Sequence, residues 1–586
     1  MFTTRPEILG TFGVCASTHW LATATGMAIL EKGGNAFDAA VAMGFALQVV
    51  EPHLNGPGGD MPMLMYSASE GRLRTVCGQG VAPAAATIGR YRDLGLDMVP
   101  GTGLLAACVP GAFDAWLTML RDYGTMPLEA VLTPAIAFAG NGYPLIDHIC
   151  NTIASVRDLF LAEWPTSAAI YLRNGDVPAP GTVFRNTALA ETYRRLLRES
   201  DAAGGAREAR IDAARRCLSQ GFVAEAIDRF SRTQEVMDTS GRRHRGLLTG
   251  DDLARWQATY EEPLTYDYGR YTVAKPGPWA QSPVFLQQLA LLQGFDLAAM
   301  DPLGPDFAHT VIEAAKLAFA DREAYYGDPN FVNVPVETLL SKAYNDARRG
   351  LIGDAASLEL RPGAIEGFDP RVKVGTGTAG DAAGAGEPTM AKIDGDTCHI
   401  DVIDRHGNMV SATPSGGWLQ SSPVIPELGF CLGTRAQMFW LEEGGPGSLE
   451  PGKRPRTTLS PSFAFRDGEA WMPFGTPGGD GQDQWTVIFF LRHVHHGMNL
   501  QAAIDAPTWQ TAHFPSSFFP RQASPGKVVV EGRLPAATIE ELRRRGHVVE
   551  VGGDWSQGRL SACARDGEVL KAAANPRLMQ GYAIGR

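Results

Sequence analysis

The sequence predicts an α+β protein built in layers, and three stretches carry that expectation. Residues 35–50, NAFDAAVAMGFALQVV, are Ala-rich and apolar on nearly every side, the pattern of a helix buried between layers. Residues 309–322, HTVIEAAKLAFADR, set Ile312, Ala315 and Phe319 on one helical face. Residues 396–415, DTCHIDVIDRHGNMVSATPS, alternate Cys398, Ile400 and Val402 with polar neighbours, the period of a half-buried strand. Asp404, Arg405, His406, Gly407 and Asn408 then supply turn chemistry, and the chain returns from Met409 as the second strand of a hairpin.

Taken in order, the first helix stops at Glu51-Pro52, because the residue before a proline is pushed out of helical geometry. Residues 199–215 are charged and Ala-rich and read as an exposed helix or loop. Residues 375–386, GTGTAGDAAGAG, are small and polar with nothing to pack, a composition that reads as a mobile linker. That linker, taken as about 375–396, runs directly into the hairpin that begins at Thr397.

Net charge is −12, so an acidic surface argues against nucleic acid as a partner. The densest basic run, Arg242, Arg243, His244 and Arg245, sits between glycines and reads as a solvated loop. No apolar stretch approaches the 18 or so residues of a membrane span, and residues 1–19 lack the apolar centre of a signal peptide. The 8 cysteines are scattered without CxxC spacing, as buried small hydrophobes in a reducing compartment would be, so the expected location is the cytoplasm. The 586 residues are enough for several domains, and the 67 glycines imply many tight turns and close backbone approaches.

No metal or other cofactor is expected. His493, His495 and His496 lack the i, i+4 spacing of a helical zinc pair and have no nearby acidic ligand. GPGGD at residues 56–60 lacks the Lys-Ser/Thr of a phosphate loop. His399 and Asp401 share one strand face, opposite Cys398, where they tune local electrostatics rather than act as a triad.

Six ordered blocks carry a resemblance: residues 26–42 (GMAILEKGGNAFDAAVA), 51–60 (EPHLNGPGGD), 318–335 (AFADREAYYGDPNFVNVP), the Thr397 hairpin, 452–461 (GKRPRTTLSP) and 475–482 (GTPGGDGQ). In these the sequence resembles the gamma-glutamyltranspeptidase family of N-terminal nucleophile hydrolases. The resemblance implies a four-layer αββα sandwich and a proenzyme that cleaves itself between Asp396 and Thr397. Residues 1–396 and 397–586 would then form a heterodimer, open to higher assembly. Once N-terminal, Thr397 carries its own base, since an α-amino group titrates near 7.7–8.0 and a threonine hydroxyl needs such a neighbour.

The resemblance further implies that Ser415 hydrogen-bonds the nucleophile, where threonine is usual. Gly478 and Gly479 would offer oxyanion-hole amides, and Thr457 and Thr458, in place of serines, would bind a substrate carboxylate. The grips for a γ-glutamyl group depart from the family pattern. Its carboxylate-binding arginine falls on Gln79, its ammonium-binding aspartate on Met438, and an asparagine near the amino group on Gly417. A neutral amide does not replace a bidentate guanidinium clamp. Arg435, just upstream, is a candidate relocated charge, and with Trp418, Phe439 and Trp440 the changes imply a less polar pocket. The expected partner is thus a small-molecule amide, cleaved or transferred by an acylase-like branch of the family. Two alternatives stand beside this: a true γ-glutamyl transpeptidase or glutathione hydrolase with rebuilt grips, and an unprocessed, non-catalytic relative.

Overall fold

The computed structural model of the chain describes residues 2–375 and 397–586. The linker expected over 375–396, and with it Asp396, therefore lies outside the described residues except for Gly375. Two seven-stranded sheets form the centre. The first runs, edge to edge, Tyr582–Gly585, Gly13–Ser17, Ile400–Asp404, Met409–Ala412, Met61–Ser67, Arg72–Gly78 and Thr259–Glu261. The second runs Ile8–Gly10, Val569–Ala574, Ser561–Asp566, Glu469–Gly475, Ser462–Arg466, Tyr271–Lys275 and Leu264–Tyr268. Neighbouring strands in both sheets are antiparallel.

The period-two alternation of each strand sorts its side chains between layers. Cys15, Met63, Ile400, Val402 and Val410 point from the first sheet into helices Trp20–Glu31, Ala36–Val50 and Ala112–Tyr123. Their neighbours Val14, Ala16, Leu64, Ile403 and Met409 point the other way, against Ala274, Phe463, Cys563 and Ala572 of the second sheet. Val273, Met472 and Phe474 leave the far side of that sheet and pack on helices Pro283–Leu292, Pro305–Tyr325 and Gln482–His496. Helix, sheet, sheet, helix is the four-layer αββα sandwich. Polar groups knit its middle: Ser411 Oγ donates to the Phe474 carbonyl at 3.2 Å and Ser561 Oγ to Asp401 at 2.7 Å.

Helix Ala36–Val50 is buried along all 15 residues and begins with a reciprocal cap between Asn35 and Asp38. It ends where the proline rule puts it, at Glu51. Three expectations need correction. The strand Ile400–Asp404 is buried on both faces, not half-buried, because its polar residues face a second sheet instead of water. Helix Pro305–Tyr325 is likewise enclosed almost all round, not along one stripe. Residues 199–215 span the end of Thr187–Ala202 and most of Arg207–Ser219, and Ile211, Ala213 and Ala214 are buried. In the basic run, His244 is drawn inward and pairs with Asp238 at 2.7 Å.

The strand Tyr582–Gly585 closes one edge by pairing with Gly13–Ser17. Beyond it, the Arg586 carbonyl accepts from the amides of Thr11 at 2.9 Å and Phe12 at 2.6 Å, and Arg5 reaches the Gly581 carbonyl at 2.7 Å. Among the described residues, no helix is long and apolar enough to cross a membrane. All 8 cysteines are buried and unpaired.

Candidate active site

Thr397 stands at the mouth of the hairpin, fully buried and bridged antiparallel to Ser415. The two hydroxyl oxygens are 3.1 Å apart, and the Cys398 amide donates to the Pro414 carbonyl at 2.9 Å. Alternation gives Thr397 and its neighbour opposite faces. The Cys398 thiol points into the helical layer, where it donates to Glu51 at 2.8 Å and burial raises its pKa well above the ordinary thiol range. His399 returns to the inter-sheet face, bonded to Thr413 Oγ1 at 2.9 Å and to Asp401 at 3.0 Å. Both ring nitrogens are thus committed to groups other than Thr397.

Ser415 is held from behind by Asp60: each residue's amide donates to the other's carbonyl, at 2.9 and 2.8 Å. The Asp60 carboxylate takes a two-pronged grip from Arg435, at 2.8 and 2.9 Å, with both side chains buried. Burial pushes the Asp60 carboxyl upward, and Arg435, then the Gln79 amide, pull against that rise. Gln79 and Arg435, proposed from sequence as substrate grips, therefore meet at Asp60. Gly417 lies beside them at a φ of +66°, where an added Cβ would come within 2.9 Å of the Gly58 and Gly59 backbone. The asparagine of the family pattern does not fit this backbone.

The strand Glu469–Gly475 crosses the hairpin with Gly475 against the His399 ring and leads into Gly478 and Gly479. Gly478 has a φ of 122°, open to glycine alone, and a Cβ there would fall 2.1 Å from the Trp485 ring. Neither its N–H nor that of Gly479 meets an acceptor among the described residues, and both precede helix Gln482–His496. Both amides are thus left as available donors. Thr457 is fixed by its backbone to Trp279 and Gln281, at 3.0 and 2.8 Å. The hydroxyl of Thr458 is buried with no partner among the described residues.

Met438 closes the short helix Arg435–Met438 and lines a cleft of about 700 Å³, counted with its open mouth. Of the residues behind the expected less polar pocket, Met438 and Trp440 line this cleft. Phe439 turns into a separate apolar cluster, Trp418 lies 5.6 Å under Arg435, and Trp440 lies 3.8 Å under Arg521. The cleft is charged instead, with Arg322, Glu323, Arg456 and Arg521 among its lining. Sequence reasoning missed these, together with Asp60 and Asp480, although five of the six lie inside the blocks quoted for the resemblance. For Asp60 and Asp480 a charge placed beside a glycine run was the available signal; Arg322, Glu323, Arg456 and Arg521 had none of that kind.

The three histidines near residue 495 have separate partners: His493 the Met498 carbonyl at 2.6 Å, His495 the Tyr268 hydroxyl at 2.8 Å, and His496 the edge of Phe307. Among the described residues, only His309, Glu313 and His547 come close enough together to share a metal ion. Lys316 and Arg361 already neutralise Glu313, at 2.6 and 3.1 Å, so the group reads as structural.

A buried hydroxyl at the start of a central hairpin of one sheet, inside an αββα sandwich, is the arrangement of the N-terminal nucleophile hydrolase class. The comparisons refine the class. The chain belongs to the gamma-glutamyltranspeptidase family, whose model matches residues 22–585. The glutathione hydrolase-like YwrD proenzyme of Bacillus subtilis (strain 168) is 31% identical over 99% of this chain and 99% of its own length. The solved structure of LmbA2991HD is 56% identical, with a TM-score of 0.94 over 100% of both chains. Cephalosporin acylase from Bacillus halodurans is 29% identical, with a TM-score of 0.84 over 100% of this chain and 98% of that one. The protein is an enzyme of amide hydrolysis or acyl transfer.

Proposed function

We propose that Thr397 is the nucleophile of a self-processing amidohydrolase, released when the bond after Asp396 is cleaved. The observation that carries this reading is the buried Thr397–Ser415 hydroxyl pair at 3.1 Å, at the point where the family pattern puts the cut. In processing, Thr397 Oγ1 attacks the Asp396 carbonyl carbon, the acyl group passes from nitrogen to oxygen, and water hydrolyses the ester. The freed α-amine then takes the hydroxyl proton as Oγ1 attacks a substrate amide carbon. The oxyanion is met by the amides of Gly478 and Gly479. The C–N bond breaks as the ammonium returns its proton to the leaving amine. Water, or an amine in the transfer reaction, attacks the acyl-Thr397 ester and restores the threonine. Residues 1–396 and 397–586 stay together as a heterodimer throughout, acting on a small-molecule amide.

Denaturing electrophoresis of active protein should show pieces of roughly 42 and 20 kDa, in proportion to residue number. Thr397→Ala should give one full-length band and no turnover. A single band from active wild type would sink the reading. With Gln79 and Met438 at the two γ-glutamyl grips, release of p-nitroaniline from a γ-glutamyl anilide should be weak. Efficient turnover at micromolar KM would favour the glutathione hydrolase alternative.

A further inference from the structure

The reacting groups proposed above, Thr397, Ser415, Gly478 and Gly479, all belong to residues 397–586, yet the turn that carries the two glycines is held from the other piece. Gly478 and Gly479 take φ of 122° and 51°, and neither has a side chain to lock its peptide in place. Among the described residues, one side chain hydrogen-bonds this pair: Gln281 Nε2 donates to the Gly479 carbonyl at 3.1 Å. Gln281 lies fully buried in the loop between strand Tyr271–Lys275 and helix Pro283–Leu292. Its amide can face only one way. Arg322 Nη1 donates to Gln281 Oε1 at 2.8 Å, and a guanidinium accepts nothing in return, so the amide nitrogen is left for Gly479.

The backbone of the same residue holds a second segment of the site. The Gln281 main-chain amide donates to the Thr457 carbonyl at 2.8 Å, the Thr457 amide to the Trp279 carbonyl at 3.0 Å, and Ala280 bridges Thr457 in parallel. Arg322 in turn is anchored by Asp480, the residue after Gly479, and by Glu323 at 2.7 Å. Ser517 fixes the far side of Asp480, its amide at 2.8 Å and its hydroxyl at 2.6 Å. Gln281 and Asp480 therefore meet on one guanidinium, and between them they grip the chain on leaving the glycine pair. In the first turn of helix Gln482–His496, burial pushes the Asp483 carboxyl up, and Lys275, then Ser460 and Gln281, pull against that rise.

We propose that Gln281 is the positioning residue of the oxyanion site: its side chain, aimed by Arg322, pins the Gly479 carbonyl so that the Gly478 and Gly479 amides stay turned toward the reacting carbonyl. This rests on the reading that Thr397 forms the acyl-enzyme and that those amides meet its oxyanion. Donors preset where charge develops need no reorganisation during the reaction, whereas an unrestrained pair of glycines would spend part of its time turned away. The Gln281 side chain bonds neither Thr397 nor Ser415, so it acts on the transition state and leaves the nucleophile as it is. Residues 1–396 thereby shape the chemistry of a site whose reacting groups all follow the proposed cut.

The test is Gln281→Met, which keeps length and burial while removing both polar atoms, beside Gln281→Glu, which keeps an acceptor for Arg322 but offers Gly479 no donor. Both should still mature into two pieces. On the anilide that wild type turns over best in a panel, both should lose about 10- to 100-fold in kcat, less than the outright loss of an oxyanion donor. KM should stay within about twofold, since acylation and deacylation share the oxyanion site. Inhibition by a boronic acid carrying the same acyl group, which becomes tetrahedral and anionic on Thr397 Oγ1, should weaken by the same factor as kcat/KM. Inhibition by the trigonal product acid should not. Equal weakening of both inhibitors, an unchanged kcat, or recovery of kcat by Gln281→Glu would each overturn the proposal. Should neither variant mature, the structure of the wild-type boronate complex decides. A boron-bound oxygen within hydrogen-bonding reach of both glycine amides is expected, with Gln281 on the Gly479 carbonyl, and a carbonyl turned away from Gln281 would overturn the proposal. No acyl mass on wild-type Thr397 with any anilide would instead overturn the underlying reading, and the proposal with it.

Discussion

Ser415 steadies the Thr397 hydroxyl through one neutral hydrogen bond, so its removal should cost activity without abolishing it. A bond of this kind is worth about 0.5–1.5 kcal/mol, which predicts a fall of up to about tenfold in kcat for Ser415→Ala, with self-cleavage slowed in the same direction. A loss beyond a thousandfold would give Ser415 a chemical role that this geometry does not assign to it. Gly478 makes a sharper case. Gly478→Ala forces a methyl into the Trp485 ring at a φ of 122°, and should cost about 1–3 kcal/mol of stability and displace the Gly478 and Gly479 amides proposed to meet the oxyanion. Thermal unfolding checks the first effect and kcat the second. His399 shows why residues near a nucleophile mislead when read from sequence: its partners, Thr413 and Asp401, belong to a polar seam between sheets.

At the scale of elements, the site hangs on two ionic clasps that pin loops to the sandwich. Arg435 and Asp60 hold the segment behind Ser415. Breaking one partner of a buried pair leaves an uncompensated charge, so Arg435→Met should destabilise by about 3–5 kcal/mol. Asp60 was legible in sequence only as the end of a glycine run, because a clasp between residues 375 positions apart leaves no local pattern. The second clasp centres on Glu323. Burial alone would raise its carboxyl, but Arg456, Arg322 and Arg521 together hold it at about 2, against an ordinary 4.5. A depressed folded-state pKa contributes stability above the unfolded value that is lost as pH falls, here between about 4.5 and 2. The stability gap between wild type and Glu323→Gln should therefore narrow through that window, by up to about 3 kcal/mol. A gap independent of pH would remove the charge from the account. The hairpin and the helix Ala36–Val50 were readable because their patterns are local; the cover over the hairpin's polar face was not, because it comes from strands more than 60 residues away.

At the scale of the molecule, the proposed cut would fall in a chain whose two pieces are interleaved. In the first sheet, strands from before and after Thr397 alternate at Tyr582–Gly585, Gly13–Ser17 and Ile400–Asp404, and the inter-sheet layer mixes Val14 and Leu64 with Phe463 and Cys563. The pieces should therefore co-elute on native size exclusion after cleavage and separate only in denaturant. Separation in buffer would contradict a shared core. Length first suggested several domains; in the structure it is spent on one sandwich, with a small added sheet of Trp509–Thr511, Lys527–Glu531 and Val548–Gly552. The pairing of Gly13–Ser17 with Tyr582–Gly585 has a practical use. These two strands, one near the start and one near the end of the sequence, lie side by side, so a short peptide joining the segments outside them would allow the chain to be opened before Thr397 instead. Such a circular permutant, translated with Thr397 behind a removable initiator methionine, would reach the free amine without cutting itself, and would let catalysis be measured in variants that cannot mature.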